Sequence, residues 1–230
     1  MGDDPFLCTT DSCTTGRATR GVLNGEVPVV GQLSIFGAET VPPALTDLSG
    51  LLAAQGQVVV SGGRARISVV VDERWRADAI AELMTQAGLT PEITVTDEGR
   101  PLVRTAAVED LVPLATQWTR GAVKSVPPGW VPGSRALRAW VLASGRMEVD
   151  GERYVLGLDP HAPDTHPVLA QSLMRAGIAP TLIGTRGTGP GLRVSGRRRL
   201  TRLGENIGEP PNDPSARSTW PHVAGDDFDR

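Results

Sequence analysis

Aromatic residues are scarce in this chain: five Trp, one Tyr and three Phe among 230 residues. Leu, Val, Ile and Ala must therefore fill the core, and a hydrophobic content of 40% is enough to build one. Cysteine is scarcer still. Cys8 and Cys13 stand in a polar leader with no further Cys or His beside them. A structural zinc ion takes four ligands, so this pair reads as two free thiols and no metal site is expected. No apolar run approaches the roughly eighteen residues of a membrane-spanning helix. The first residues lack the basic-then-apolar pattern of a secretion signal. These absences lead to an expectation of a cytoplasmic protein without membrane contact. Phosphate-loop, dinucleotide and G-x-S-x-G patterns are also missing, and no Ser/His/Asp set stands out.

What is present is repetition. Leu48-Ser49-Gly50-Leu51-Leu52-Ala53-Ala54-Gln55-Gly56 returns 89 residues later as Leu137-Arg138-Ala139-Trp140-Val141-Leu142-Ala143-Ser144-Gly145. The same offset relates Ala87-Gly88-Leu89-Thr90-Pro91 to Ala176-Gly177-Ile178-Ala179-Pro180, and Pro101, Val103, Arg104, Leu111 and Leu114 to Pro190, Leu192, Arg193, Leu200 and Leu203. A constant spacing through three elements predicts two copies of one unit. The organisation expected is a flexible leader (1–44), repeat 1 (45–118), a linker (119–134), repeat 2 (135–208) and a disordered tail (209–230). Pro127, Pro128, Gly129, Pro132 and Gly133 argue against regular structure in the linker.

Within repeat 1, Thr46 or Asp47 is placed to cap a helix running into the small-residue segment. Two strands, 58–61 and 65–71, turn at Gly62-Gly63. An amphipathic helix over 76–87 stops at Gly88. A second hairpin (92–96 and 102–104) and a helix (106–118) complete the unit. Repeat 2 reads the same way, giving αββαββα twice. The class expected is α+β, a monomeric pseudo-dimer of tandem repeats.

An αββαββα unit that opens on a small-residue helix ending in glycine resembles the LAGLIDADG homing-endonuclease family. LSGLLAAQG matches the motif at Leu48, Gly50, Leu51 and Gly56; repeat 2 matches at Leu137, Ala143 and Gly145. The resemblance implies motif helices packed together at a pseudo-twofold axis and sheets forming a saddle over double-stranded DNA. It also implies where chemistry would sit, since the family's nucleases hold divalent metal on an acidic residue at the eighth motif position. Here those positions are Gln55 and Ser144, and the sixth positions are Ala53 and Leu142. A neutral amide and a hydroxyl neither balance Mg2+ nor help it acidify a water. The expectation is a scaffold without catalysis, cofactor or metal. It resembles sporulation regulators that carry a LAGLIDADG-like domain.

Charge is distributed unevenly. Residues 120–202 hold 13 Lys and Arg against 5 Asp and Glu, whereas the rest holds 10 against 21. A basic segment between acidic ends suits a polyanionic partner. Arg186, Arg193, Arg197, Arg198, Arg199 and Arg202 are the DNA contacts expected, because guanidinium groups on strands and helix starts meet phosphates and guanine edges. The alternative is a solvated basic helix face. Repeat 1 has Glu109 and Asp110 in the equivalent stretch.

In the leader, Gln32-Leu33-Ser34-Ile35-Phe36 resembles the Q-L-[S/D]-L-F peptide by which bacterial replication and repair proteins dock on the DNA polymerase III beta sliding clamp. Leu33, Ile35 and Phe36 would fill apolar subsites, and the Gln32 amide would hydrogen-bond at the rim. The alternative is a leader strand folded back onto the repeats. Asp159, His161, Asp164 and His166 have a spacing that invites a metal, but helix capping by Asp164 or Thr165, with Pro167 in the first turn, accounts for them more simply.

Overall fold

The first motif helix begins as a 3-10 turn, Leu45–Leu48, and continues as α1, Ser49–Ala53. This computed structural model describes residues 42–148, 151–184 and 189–222, all in one unit, Val41–Arg230. The leader motif Gln32–Phe36, Cys8, Cys13 and Arg186 lie outside the described residues.

Two four-stranded antiparallel sheets repeat one topology. The first contains β1 (Gln57–Ser61), β2 (Arg64–Val70), β3 (Pro91–Val95) and β4 (Pro101–Thr105) in the order β1-β2-β4-β3. Helix α2 (Arg74–Gln86) lies between its hairpins in sequence, and α3 (Val112–Trp118) follows them. A small hairpin, β5 (Thr119–Arg120) and β6 (Val123–Lys124), leads to the second motif helix, α4 (Ser134–Ser144). The second sheet contains β7 (Gly145–Met147), β8 (Arg153–Gly157), β9 (Thr181–Ile183) and β10 (Gly191–Ser195), in the order β7-β8-β10-β9. Helices α5 (His166–Arg175), α6 (Arg197–Ile207) and α7 (Pro214–Thr219) complete the described chain.

The two motif helices cross through glycine. A Cβ on Gly50 would collide with the backbone carbonyl of Ala136 on α4, and would also crowd the Trp140 nitrogen. Only a residue without a side chain permits this approach. Leu51, Leu52, Leu137, Trp140 and Leu142 around the crossing are fully buried, each contributing about 1.5–3 kcal/mol by leaving water. The glycines that end the motifs also have steric reasons. A Cβ on Gly56 would strike the Leu51 carbonyl, and one on Gly145 would strike the Tyr154 hydroxyl.

Several boundaries differ from the sequence reading. Asp47 does cap, but from the third position: its carboxylate accepts the Ala44 N–H at 2.9 Å, so the helix starts a turn early. The closing element of repeat 1 is a short 3-10 turn, Glu109–Leu111, followed by α3. Neither Asp164 nor Thr165 caps α5 with its side chain; Pro163–Thr165 form a 3-10 turn in which the Thr165 hydroxyl donates to Ala162 O.

The linker is more ordered than its prolines imply. Gly121, at φ 64°, turns β5 into β6, and Trp130 packs 5.0 Å edge-on to Trp118. The tail, expected to be disordered from residue 209, carries a helix as far as it is described. The Asp213 carboxylate accepts the Ser215 N–H, Pro214 opens α7, and Ala216 is buried. Trp220 is only 5% exposed, and its ring N–H donates to Gly208 O at 2.9 Å. One buried tryptophan anchors what its Pro-rich and acidic neighbours made look unstructured.

Candidate nucleic-acid interface

Each sheet has a covered face and an open one. On β2, Ala65, Ile67 and Val69 are buried against the helices while Arg64 and Arg66 point outward. On β8 and β10, Tyr154, Leu156, Leu192 and Val194 are covered, and Arg153 and Arg193 occupy the alternate positions beside Val155, which is itself fully buried. Strand alternation makes this division on β2 and only in part on β8.

Register then gathers the arginines. Arg104 pairs across the ladder with Ser68 and Glu92; Arg193 pairs with Val155, which also faces Arg146. Arg104 and Arg193 are related by the 89-residue offset, and so are Arg64 and Arg153. Both copies thus put guanidinium groups at the same places on their open faces. Glutamates hold these arginines on both repeats. Glu92 bonds Arg104 at 2.9 Å, and that hydrogen bond and charge hold its carboxyl below the usual range. Glu148 reaches both Arg193 at 2.8 Å and Arg153 at 3.3 Å. Arg64 lies 3.8 Å from Glu109.

Of the arginines expected from sequence, Arg193 lies on the open face. Arg197, Arg198, Arg199 and Arg202 are exposed on α6, which buries Leu200, Leu203 and Ile207 and packs against α4 in the helix layer. The structure therefore separates that group from most of the strand arginines. Arg197, the first residue of α6, lines a cleft together with Arg153. Sequence reasoning missed Arg153 as the counterpart of Arg64, although the repeat offset pairs them.

At the ends of the motif helices, the two degenerate positions are occupied by backbone bonding. Gln55 donates its amide to Val70 O at 3.1 Å, and the Ser144 hydroxyl donates to Gly157 O at 3.0 Å. Cations hold the adjoining helix C-termini, where orphan carbonyls concentrate negative potential. Buried Arg76 donates to the carbonyls of Val141, Leu142 and Gly145 at 2.7–3.1 Å. Lys124 donates to Ala54 O at 2.9 Å. Gln55, Ser144 and Arg76 line a cleft of about 340 Å³ with Asp72, Arg100 and Arg146. No group of three or more potential metal-binding side chains occurs among the described residues.

Asp159, from the D-x-H-x2-D-x-H stretch, has another use. Its carboxylate meets Lys124 Nζ at 2.8 Å, with side chains only 3% and 9% exposed, and accepts from Gln57 and the His161 N–H. Burial pushes its carboxyl up, but Lys124, His161 and Gln57 together hold it below the ordinary range. Burial likewise pushes the Lys124 ammonium down, partly offset by Asp159. The ionised pair ties the hairpin after repeat 1 to repeat 2. Because the folded carboxyl titrates below its unfolded value, its contribution is complete above the usual carboxylate range. It is lost as pH falls through the folded value. Asp159→Asn is expected to cost about 3–5 kcal/mol at neutral pH, as when one partner of a buried pair is removed. Chemical unfolding from pH 7 down into the acid range below the ordinary carboxylate value checks this: the gap between wild type and variant should narrow as pH falls, and parallel curves throughout would contradict it.

Paired motif helices and duplicated sheets define a LAGLIDADG-like fold. Three solved structures share it. The homing endonuclease I-WcaI bound to its DNA recognition sequence superposes with a TM-score of 0.57 over 75% of this chain and 83% of its own, at 10% identity. The N-terminal LAGLIDADG domain of DUF199/WhiA gives 0.52 over 74% and 85%, at 17% identity. Full-length DUF199/WhiA from Thermatoga maritima gives 0.52 at 18% identity, covering 71% of this chain and 54% of that one. No protein-family model and no curated protein matches the sequence.

Proposed function

We propose that this chain is a non-cleaving protein of DNA replication or repair that holds double-stranded DNA and is brought to it by the sliding clamp. The observation that carries the DNA reading is the repeat-related placement of Arg64 with Arg153 and Arg104 with Arg193 on the open sheet faces. I-WcaI, of the same fold, is a structure with bound DNA. Arg66 and Arg146 enlarge the basic surface on each repeat. Arg197, Arg198, Arg199 and Arg202 extend the attraction for duplex along the helix layer. Such contacts address phosphates, so binding is broad in sequence and falls steeply with salt. The non-cleaving reading is supported by Gln55 and Ser144, which are hydrogen-bonded to backbone and offer no carboxylate at the motif positions, and by the cations Arg76 and Lys124 beside them. Asp72 and Glu73 are the carboxylates that border the cleft. A fixed guanidinium next to the cleft repels a divalent ion.

Recruitment rests on Gln32-Leu33-Ser34-Ile35-Phe36 alone. A peptide of residues 28–40 is expected to bind the bacterial beta clamp with a dissociation constant of about a micromolar, since ordering a short segment offsets much of its contact energy. Full-length protein on clamp-loaded DNA binds more tightly, because tethering raises the local concentration of the basic domain. Leu33→Ala with Phe36→Ala removes the clamp interaction and leaves DNA binding unchanged. A wild-type peptide and protein that both ignore the clamp would remove the replication link.

The resemblance of the sequence to sporulation regulators that carry a LAGLIDADG-like domain favours a second reading, a sequence-specific regulator working through the same saddle; the LAGLIDADG domain of DUF199/WhiA shares the fold. Tight binding to one duplex over random sequence, at matched salt, would favour it.

A further inference from the structure

The arginines of α6 and those of the sheets face different ways. Leu200, Leu203 and Ile207 of α6 are buried in the same core as Leu192 and Val194 on the covered face of β10. At about 100° per residue, Arg198 and Arg202 then lie within about 50° of the direction opposite that buried stripe, with Arg197 and Arg199 on its flanks. Arg153 and Arg193 stand on the open side of the same sheet.

The two sets are also held differently. Arg64, Arg104, Arg153 and Arg193 each meet a glutamate. Among the described residues, no carboxylate pairs with Arg198, Arg199 or Arg202. Arg198, Thr201 and Arg202, with Ser134 at the start of α4, border a shallow trough of about 800 Å³ whose one acidic neighbour is Glu205. Arg199 donates to Ser195 O at 3.4 Å, and the Arg202 guanidinium lies against Gly177 in the turn after α5. Two of the cations are thus ordered in part before a partner arrives, which lowers the cost of binding. Guanidinium groups, with no lysine among them, suit planar bidentate contact with oxyanions.

Spacing favours a nucleic-acid backbone as that oxyanion. Arg198 and Arg202 are about 6 Å apart along the helix, and a DNA strand presents a phosphate about every 3.4 Å of its axis. A duplex already seated on the sheets cannot double back to supply them, because DNA keeps its direction over about 150 base pairs. We infer that the outer face of α6 holds the phosphate backbone of a second duplex, so that one chain bridges two DNA segments. The saddle half of the bridge rests on the DNA reading above. Arg197, which shares a cleft with Arg153, belongs to the margin of the saddle.

The test offers full-length protein, bound to a bead-immobilised random duplex at low salt, a second duplex carrying a fluorescent label. Wild type is expected to retain the label in proportion to the protein bound. Arg198→Ala, Arg199→Ala and Arg202→Ala combined should lower that retention about tenfold or more relative to occupancy of the immobilised duplex, because three phosphate contacts leave one surface. Equal loss of both would mean one continuous interface and overturn the bridge. Retention that survives the substitutions would overturn it too. Light scattering without DNA should give a monomer for both proteins; a dimer that the substitutions dissociate would assign the bridging to paired copies and end the inference. Wild type that binds the immobilised duplex and retains no label would also end it, leaving α6 to an acidic protein and the DNA reading intact. Failure to bind even the immobilised duplex would end both.

Discussion

Gly50→Val leaves no folded domain. The modest 1–3 kcal/mol of ordinary overpacking assumes neighbours that give way, whereas here the obstacle is the Ala136 carbonyl and the backbone of α4 itself. Separating the helices by the width of a side chain would open the crossing around Leu51, Leu137 and Trp140, all fully buried. Even Gly50→Ala is expected to cost several kcal/mol, a large share of a typical domain's stability. Gly133→Ala, at a glycine with free space around it and a negative φ, is the control and should stay within about 1 kcal/mol. Far-ultraviolet circular dichroism and denaturant titration read both variants. Cooperative unfolding of Gly50→Val at the wild-type midpoint would refute the crossing.

The second large effect is electrostatic. Arg64→Ala, Arg66→Ala and Arg153→Ala together are expected to lower the slope of log affinity against log salt by between two and three, because each phosphate contact contributes about 0.9. At 0.1 M salt that corresponds to a loss of about a hundredfold or more. These side chains stand on the open faces, so the unfolding midpoint should barely move. Fluorescence anisotropy with a labelled random duplex provides the slope. An unchanged slope would shift the interface off the sheets, with α6 next in line.

Much of the fold was legible because the repeat is written into local chemistry. Gly50 had to be small for a close crossing, strand alternation set Arg64 and Arg66 opposite Ala65 and Ile67, and Gly88 marked the end of α2. Contacts between residues distant in sequence were not legible. Lys124 lies among prolines and glycines, and only the folded chain brings it to Asp159. Trp220 looked like part of an unstructured tail until Gly208 O and the Arg138 guanidinium, 5.0 Å from its ring, accounted for its burial. The site was half visible for the same reason. A run of three arginines announces itself, but sequence does not say that α6 packs in the helix layer. Arg153, isolated in its strand, carries no such signal, and its significance comes from sharing a place with Arg64 across the pseudo-twofold.

Binding without cleavage is the central claim, and one titration addresses both halves. Full-length protein is added to a labelled random-sequence duplex in Mg2+ or Mn2+ across a salt series. Anisotropy is read first, and the same samples are then run on a denaturing gel. The account predicts saturable binding that weakens steeply as salt rises, with the duplex intact at every point. No binding at the lowest salt, or strand cleavage that depends on the metal, would contradict it.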